Sequence, residues 1–419
     1  MKELAYRDAI REAIYEEMNR DERVFIAGED VGRYGGAYAV TRNLIKEFGE
    51  RRVVDTPISE AGMTGLGVGA AIAGLRPIIE LMYVDFIGLA MDQIGNQMAK
   101  FAYMSGGRLT IPMVLRTQGG TGRSAGSQHS QSLETYLVHT PGLRVVMPST
   151  SEDAKGLLKT AIRSADPVVF IEHKALYAKK GPVPEEEYTI PFGRAKTVRE
   201  GKDVSIITYS RMVHTGCEAA AELSGHGIDA EVIDLRTLNP LDTEAVIRSV
   251  RKTRRAVVLT EAHRTAGMSA EISSLIHETC YDVLVAPVVR IAGEDVPVPA
   301  TYLEKLAVPS AEDVVEGARK LVKKNKKKDK RGKTVKYEVK MPQLTETMEY
   351  AMILSWNKNV GDYVEKGEVL YEVETDKTTM EIESIDGGYL CEISVELEEE
   401  VAPGTVIAVL ADSVEECGS

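Results

Sequence analysis

Three residue types in this 419-residue chain have surroundings that could support chemistry. Lys377 stands between two similar stretches. From Val360 the chain reads Val-Gly-Asp-Tyr-Val-Glu-Lys-Gly-Glu-Val-Leu-Tyr-Glu-Val, and 37 residues on the pattern returns, matching Val364 with Val401, Gly367 with Gly404 and Leu370 with Ile407. Between the halves lies Glu374-Thr375-Asp376-Lys377-Thr378, at the end of an alternating run. It predicts a hairpin tip that holds the lysine in water. A lone exposed lysine is ordinarily a solvated charge; the spacing, not the residue, singles this one out. Glu60 ends Thr56-Pro57-Ile58-Ser59-Glu60 and directly precedes Ala61-Gly62-Met63-Thr64-Gly65-Leu66-Gly67, a helix start whose small residues permit close backbone approach. A carboxylate there also suits the helix dipole, so capping alone is one reading of it. His129 lies in Gly126-Ser127-Gln128-His129-Ser130-Gln131, a loop of the kind that α/β folds use for reactive groups, although a loop histidine is more often a bystander. Cys217, Cys280, Cys391 and Cys417 are scattered with no CxxC pair, which argues against a disulfide framework or zinc site and predicts free thiols.

The elements that must position these residues fall into three blocks. Up to about residue 180, apolar runs (Val24-Phe25-Ile26-Ala27, Ile78-Ile79, Met113-Val114-Leu115, Val145-Val146-Met147, Val168-Val169-Phe170-Ile171) alternate with helical stretches, as in a parallel sheet covered by helices. A second cycle begins at Gly201 with strands expected at 204–209, 230–235 and 256–260. The predicted domains are 1–182 and 183–322, both parallel-sheet α/β, then a Lys-rich linker at 323–334, a small all-β sandwich at 335–412 and a tail at 413–419.

The net charge of −13 is concentrated in the last block. Residues 335–419 hold 5 basic and 20 acidic side chains, and 323–334 hold 8 basic and 1 acidic. An acidic domain on a basic, self-repelling tether argues against nucleic-acid binding by the body of the protein. No run approaches 18 apolar residues, and residues 1–23 alternate acidic and basic groups, so no membrane span and neither a signal nor a transit peptide is expected. The expected location is the cytoplasm of a bacterium or archaeon.

The last 80 or so residues resemble the lipoyl domain of 2-oxo acid dehydrogenase complexes. The resemblance is carried by Met341-Pro342, Leu344, Thr347-Met348, Glu374 three before the lysine, Gly361 sixteen before it and Gly388 eleven after it. A biotinyl domain carries Met on both sides of its lysine; here the flanks are Asp376 and Thr378, so the resemblance implies lipoate on Lys377. Ala351 replaces a usual Gly, and Ser384-Ile385-Asp386-Gly387-Gly388 a Pro-containing return.

Residues 1–322 resemble the beta subunit of the thiamine-diphosphate-dependent 2-oxo acid decarboxylase. The motifs are Gly28-Glu29-Asp30-Val31, Pro57 to Glu60, Met82 to Phe86, Gln128-His129-Ser130-Gln131 with Thr140-Pro141-Gly142-Leu143, and Leu235-Arg236-Thr237-Leu238-Asn239-Pro240. The resemblance implies a transketolase-like pyrimidine-binding domain followed by a transketolase C-terminal-like domain. Glu60 would hydrogen-bond the pyrimidine ring nitrogen and favour the imino tautomer that deprotonates the thiazolium; Phe86 would stack on the ring, with Glu29, Ile58 and Met82 around it. His129 would orient the 2-oxo acid carboxylate or the incoming lipoyl group.

This superfamily marks its diphosphate and magnesium site by Gly-Asp-Gly followed about 30 residues later by Asn, and the sequence has no such motif. Gly28-Glu29-Asp30 lacks the second Gly. The chain thus supplies half a site and no metal ligand, and by resemblance an alpha subunit supplies the rest, in a unit of two alpha and two beta chains. The implied further partners are a dihydrolipoyl acyltransferase, a dihydrolipoyl dehydrogenase and a lipoate-attaching enzyme. Pyruvate is the expected substrate; acetoin or branched-chain 2-oxo acids, and a catalytically silent lipoyl carrier, are the alternatives.

Overall fold

A computed structural model describes residues 1–328, 336–344, 348, 350–375, 378–411 and 417. They form two units, Met1–Lys324 and Asn325–Ser419.

The first unit holds two sheets. The larger has seven strands in the order Thr237–Asn239, Arg144–Val146, Val168–His173, Val114–Gly119, Arg76–Leu81, Val24–Gly28, Val53–Asp55. All its pairings are parallel except the first, where Thr237–Asn239 runs antiparallel. That edge strand comes from beyond residue 182, so the two α/β halves share a sheet. The central strands show no alternation of buried and exposed positions because helices cover both faces: every residue of Val114–Gly119 and Val168–His173 is buried, the polar ones included. The helix Glu60–Ile72 lies close over the sheet, and its small residues allow this; a Cβ added at Gly67 would stand 2.6 Å from the Ile79 side chain and 2.8 Å from that of Met113.

The smaller sheet has the order Val289–Gly293, Ala256–His263, Val204–Thr208, Ala230–Asp234, Lys196–Arg199, parallel but for the last strand. Helix starts follow local chemistry: the Thr150 and Asp242 side chains accept the backbone N–H of Asp153 and Ala245 as N-caps. The final helix, Ala311–Lys328, continues six residues into the stretch expected as a linker. Lysine is a good helix former, so a Lys-rich run directly after a helix prolongs it.

The second unit is a sandwich of two four-stranded antiparallel sheets. One has the order Lys336–Lys340, Val406–Ala411, Gly388–Ile393, Tyr363–Val364; the other Thr379–Glu383, Val369–Glu374, Ala351–Trp356, Glu400–Val401. The sequence repeat becomes a structural one, each half giving a short edge strand to one sheet and an inner strand to the other. Val364 and Val401, and Leu370 and Ile407, are buried as pairs in the core. Gly367 and Gly404 take φ of 86° and 83°, a turn conformation that L side chains resist.

One expectation fails in this unit. Cys391 and Cys417 form a disulfide, and only Cys217 and Cys280 are free thiols. With the partners 26 positions apart, spacing could not reveal the pair. The pairing of Tyr389 with Ala411 returns the chain end to the strand that carries Cys391.

Candidate active site

Five neighbouring parallel strands carry the candidate residues. Register aligns Gly28 with Asp55 and with Glu80, Leu81 with Thr117, and Gly119 with His173. The segments that leave the C-terminal ends of these strands therefore emerge side by side, where open α/β sheets place their ligands. They are Glu29, residues 56–60, residues 82–90, the loop 120–132 and residues 174–177.

Glu60 is the first residue of its helix and is 8% exposed. No hydrogen bond or ion pair to its carboxylate is found among the described residues, and the N-cap Ser59 makes no side-chain cap bond. Glu29 is half-buried, and its Oε1 is buried with no hydrogen-bond partner. Burial first, then the charges of Glu60, Asp30 and Glu80, raise the Glu29 pKa above the usual carboxylate value. Two neighbouring carboxylates thus lack a protein cation, and one of them keeps its proton to higher pH. Ile58, 79% exposed, precedes Glu60 on the same connection, whereas Met82 and Phe86 are half-buried.

The His129 ring meets Phe86 edge-on, with centroids 5.5 Å apart, and Tyr83 at 5.6 Å. The Lys174 ammonium donates to the His129 carbonyl and lies 5.0 Å from the centre of the Tyr83 ring. Burial lowers the Lys174 pKa, against the opposing pull of Asp85, Glu261 and Glu304. Asp85 accepts the Gln131 N–H through Oδ1 at 3.0 Å, while its Oδ2 is buried and without a hydrogen-bond partner. The structure thus brings His129 and Phe86 into contact and adds Tyr83, Asp85 and Lys174, which motif reading passed over. Tyr83 and Asp85 fall inside the Met82–Phe86 motif, so its alternation of polar and apolar residues was the available signal. Lys174 had none beyond its place at a strand end.

Beneath this surface lies a buried ion cluster. Arg116, wholly enclosed, donates to Glu80 at 2.6 Å and to both oxygens of Glu172 at 2.6 and 2.8 Å. The Gln118 amide donates to Glu80 at 2.9 Å and the Tyr177 hydroxyl to Glu172 at 2.5 Å. At the seam with the second sheet, His173 Nε2 stands 2.9 Å from Glu261 Oε2. Burial alone would raise the Glu261 pKa; the His173 ring, Arg211 and the Thr121 N–H reverse this and hold it low.

In the second unit the strands Val369–Glu374 and Thr379–Glu383 form the expected hairpin, with Glu374 opposite Thr379. Its turn is closed by the Thr375 N–H donating to the Thr378 carbonyl at 2.9 Å and the Thr378 N–H to Thr375 Oγ1 at 3.2 Å. Lys377 and Asp376, at the tip, lie outside the described residues, as does Thr347 of the entry motif.

Three protein families match the chain. Residues 2–180 match the transketolase pyrimidine binding domain, 193–314 the transketolase C-terminal domain, and 337–410 the family described as biotin-requiring enzyme. Over 320 residues the chain is 48% identical to the pyruvate dehydrogenase E1 component subunit beta of Rickettsia felis, covering 76% of this chain and 98% of that protein. Over 330 residues it is 47% identical to the mitochondrial subunit beta-1 of Arabidopsis thaliana, covering 78% of this chain and 91% of that one. Among solved structures, a chain titled split gene transketolase, inactive beta4 tetramer, superposes with a TM-score of 0.64 at 22% identity, covering 76% of this chain and 98% of its own, a likeness of fold.

Proposed function

The chain belongs to the family of pyruvate dehydrogenase E1 component beta subunits, and we propose that it acts with an alpha subunit in the oxidative decarboxylation of pyruvate. It would contribute the half of the site that receives the aminopyrimidine ring of thiamine diphosphate, and its C-terminal domain would carry lipoate on Lys377. The reading is supported most by Glu60, a nearly buried carboxylate at a helix start with no protein partner among the described residues.

The residues fit that ring. Glu60 offers a carboxylate to a ring nitrogen, Glu29 a second one with an unpartnered oxygen, and Phe86, Met82 and Ile58 apolar surface for its faces. When bound, thiamine diphosphate supplies the carbon nucleophile for attack on the 2-oxo carbon. Glu60 would hold or return a proton at the ring nitrogen, and Glu29, whose pKa is raised by burial and by the neighbouring Glu60, Asp30 and Glu80 charges, would stand beside it with its unpartnered Oε1. His129, braced between Phe86 and Tyr83, would hold the substrate carboxylate or the incoming lipoyl group. The diphosphate and magnesium fall to the alpha subunit, since the sequence has no Gly-Asp-Gly motif.

We assign residues 1–182 to pyrimidine binding, 183–322 to subunit contacts, 323–334 to the connection and 335–412 to the lipoyl arm. The arm brings in the acyltransferase, the dihydrolipoyl dehydrogenase and the lipoate-attaching enzyme as partners. Glu60→Gln tests the reading directly. In the alpha–beta assembly it should cut decarboxylation on the order of 100-fold, the scale of losing acid–base assistance, with the assembly intact. Activity within a few-fold of wild type would refute the role of Glu60.

A further inference from the structure

The loop 120–132 leaves the first sheet at Gly119, yet carboxylates of the second α/β half fasten it. Glu261, on the strand Ala256–His263, accepts the Thr121 N–H at 2.6 Å. Glu304, in the short 3-10 turn Thr301–Leu306, accepts two more: Gly122 donates to its Oε1, and Ser124 to its Oε2 at 2.6 Å. Both carboxylates are buried. Ser124 Oγ also donates to the Thr301 carbonyl at 3.3 Å and Ser127 Oγ to the Val298 carbonyl at 2.9 Å.

The loop backbone is bent to meet Glu304. Gly122 has φ of 95° and Ser124 φ of 53°, the left-handed region that a serine avoids without compensation. Charge-assisted bonds from two backbone N–H groups to one buried carboxylate offset that cost. Past this point the loop is gripped by the first half, where Lys174 donates to the His129 carbonyl, the Gln131 N–H to Asp85 and the Gly120 N–H to the Gln131 carbonyl at 2.9 Å. His129 therefore hangs between two sets of anchors, one from each half of the unit.

We infer that Glu304 is a positioning residue for His129: through the N–H groups of Gly122 and Ser124, the second α/β half sets where the imidazole stands against Phe86 and Tyr83. The inference rests on the reading of His129 as a group that meets substrate. It gives the transketolase C-terminal-like half a part in the chemistry in addition to assembly.

The test uses the alpha–beta holoenzyme with Glu304→Gln, which keeps the side-chain shape but turns an amide N–H against one of the two loop donors. Amide hydrogen exchange in the peptide spanning 119–132 should quicken. The value of kcat/KM for the 2-oxo acid, with a lipoyl domain as acceptor, should fall by about tenfold, the scale of a hydrogen bond to a charged group. Thiamine diphosphate affinity should not change. Combined with His129→Ala, the loss should match that of His129→Ala alone within about twofold, because both changes act through one side chain. Should Glu304→Gln lose the assembly, Glu304→Asp, which keeps both acceptor oxygens on a shorter stem, carries the same comparison. Additive losses in the double variant, or unchanged exchange and kinetics, would overturn the inference. An inactive wild-type holoenzyme would instead sink the functional reading, and the exchange comparison would still report on the Glu304 anchor.

Discussion

Replacing Arg116 by Met should destabilise the first unit in a pH-dependent way. Among the described residues Arg116 is the one cation bonded to the buried pair Glu80 and Glu172, with three bonds of 2.6–2.8 Å. Removing one partner of a buried ionic cluster costs about 3–5 kcal/mol, since the remaining charge is left without compensation. Burial already raises the Glu172 pKa, and Arg116 is the foremost group opposing it, so the substitution pushes that pKa up further. A carboxyl whose folded pKa lies above its unfolded value binds more protons in the folded state. It therefore costs no stability below the unfolded pKa and progressively more as pH rises toward the folded one. The gap between variant and wild type should thus widen from pH 5 to pH 8. Unfolding entropy of about 2.1 cal/mol/K per residue gives ~0.7 kcal/mol/K over Met1–Lys324. The expected fall in Tm at pH 8 is then about 4–7 °C by differential scanning calorimetry, and smaller at pH 5. Adding Glu172→Gln to the variant should restore part of it. A fall below about 1 °C, or one that does not depend on pH, would refute the view that Arg116 neutralises this pair.

The disulfide closes a loop across 26 residues, and the chain-entropy relation puts its worth at about 3.5 kcal/mol. Cys417→Ser, or reduction, should lower the Tm of the C-terminal unit while leaving that of Met1–Lys324 in place; an unchanged C-terminal transition would contradict a structural role. Seven residues lie between the helix end at Lys328 and the strand start at Lys336, at most ~25 Å of chain. Lipoylated Lys377 should accordingly be acylated by its own assembly faster than a free lipoyl domain at equal concentration. Equal rates would mean that the arm serves another component.

Sequence patterns carried the strands and the repeat because burial imposes them: uninterrupted Val and Ile runs mark covered parallel strands, and the recurrence of Val364 and Gly367 at Val401 and Gly404 marks a duplicated hairpin. The motif residues also came to one edge, since each follows a strand end. What pattern could not supply was register. Glu80, Arg116 and Glu172 stand inside or directly after apolar runs, where a charge must find a partner. The alignment of Ile78 with Val114 and of Val114 with Val168 makes them partners. The charges were readable; their pairing was not. The same holds for Glu304 and Gly122, 182 positions apart, for the His173 and Glu261 pair, and for Cys391 and Cys417. That the helix Ala311–Lys328 runs into the Lys-rich stretch was not signalled by charge alone, since lysine is also a helix former.

On the proposed reading, this chain holds half of a thiamine diphosphate site. Calorimetric titration of thiamine diphosphate with magnesium, into the chain alone and into the chain with its alpha subunit, tests it most directly. The chain alone should show neither tight binding nor decarboxylation, and both should appear once the alpha subunit is added; micromolar binding by the chain alone would refute the half-site.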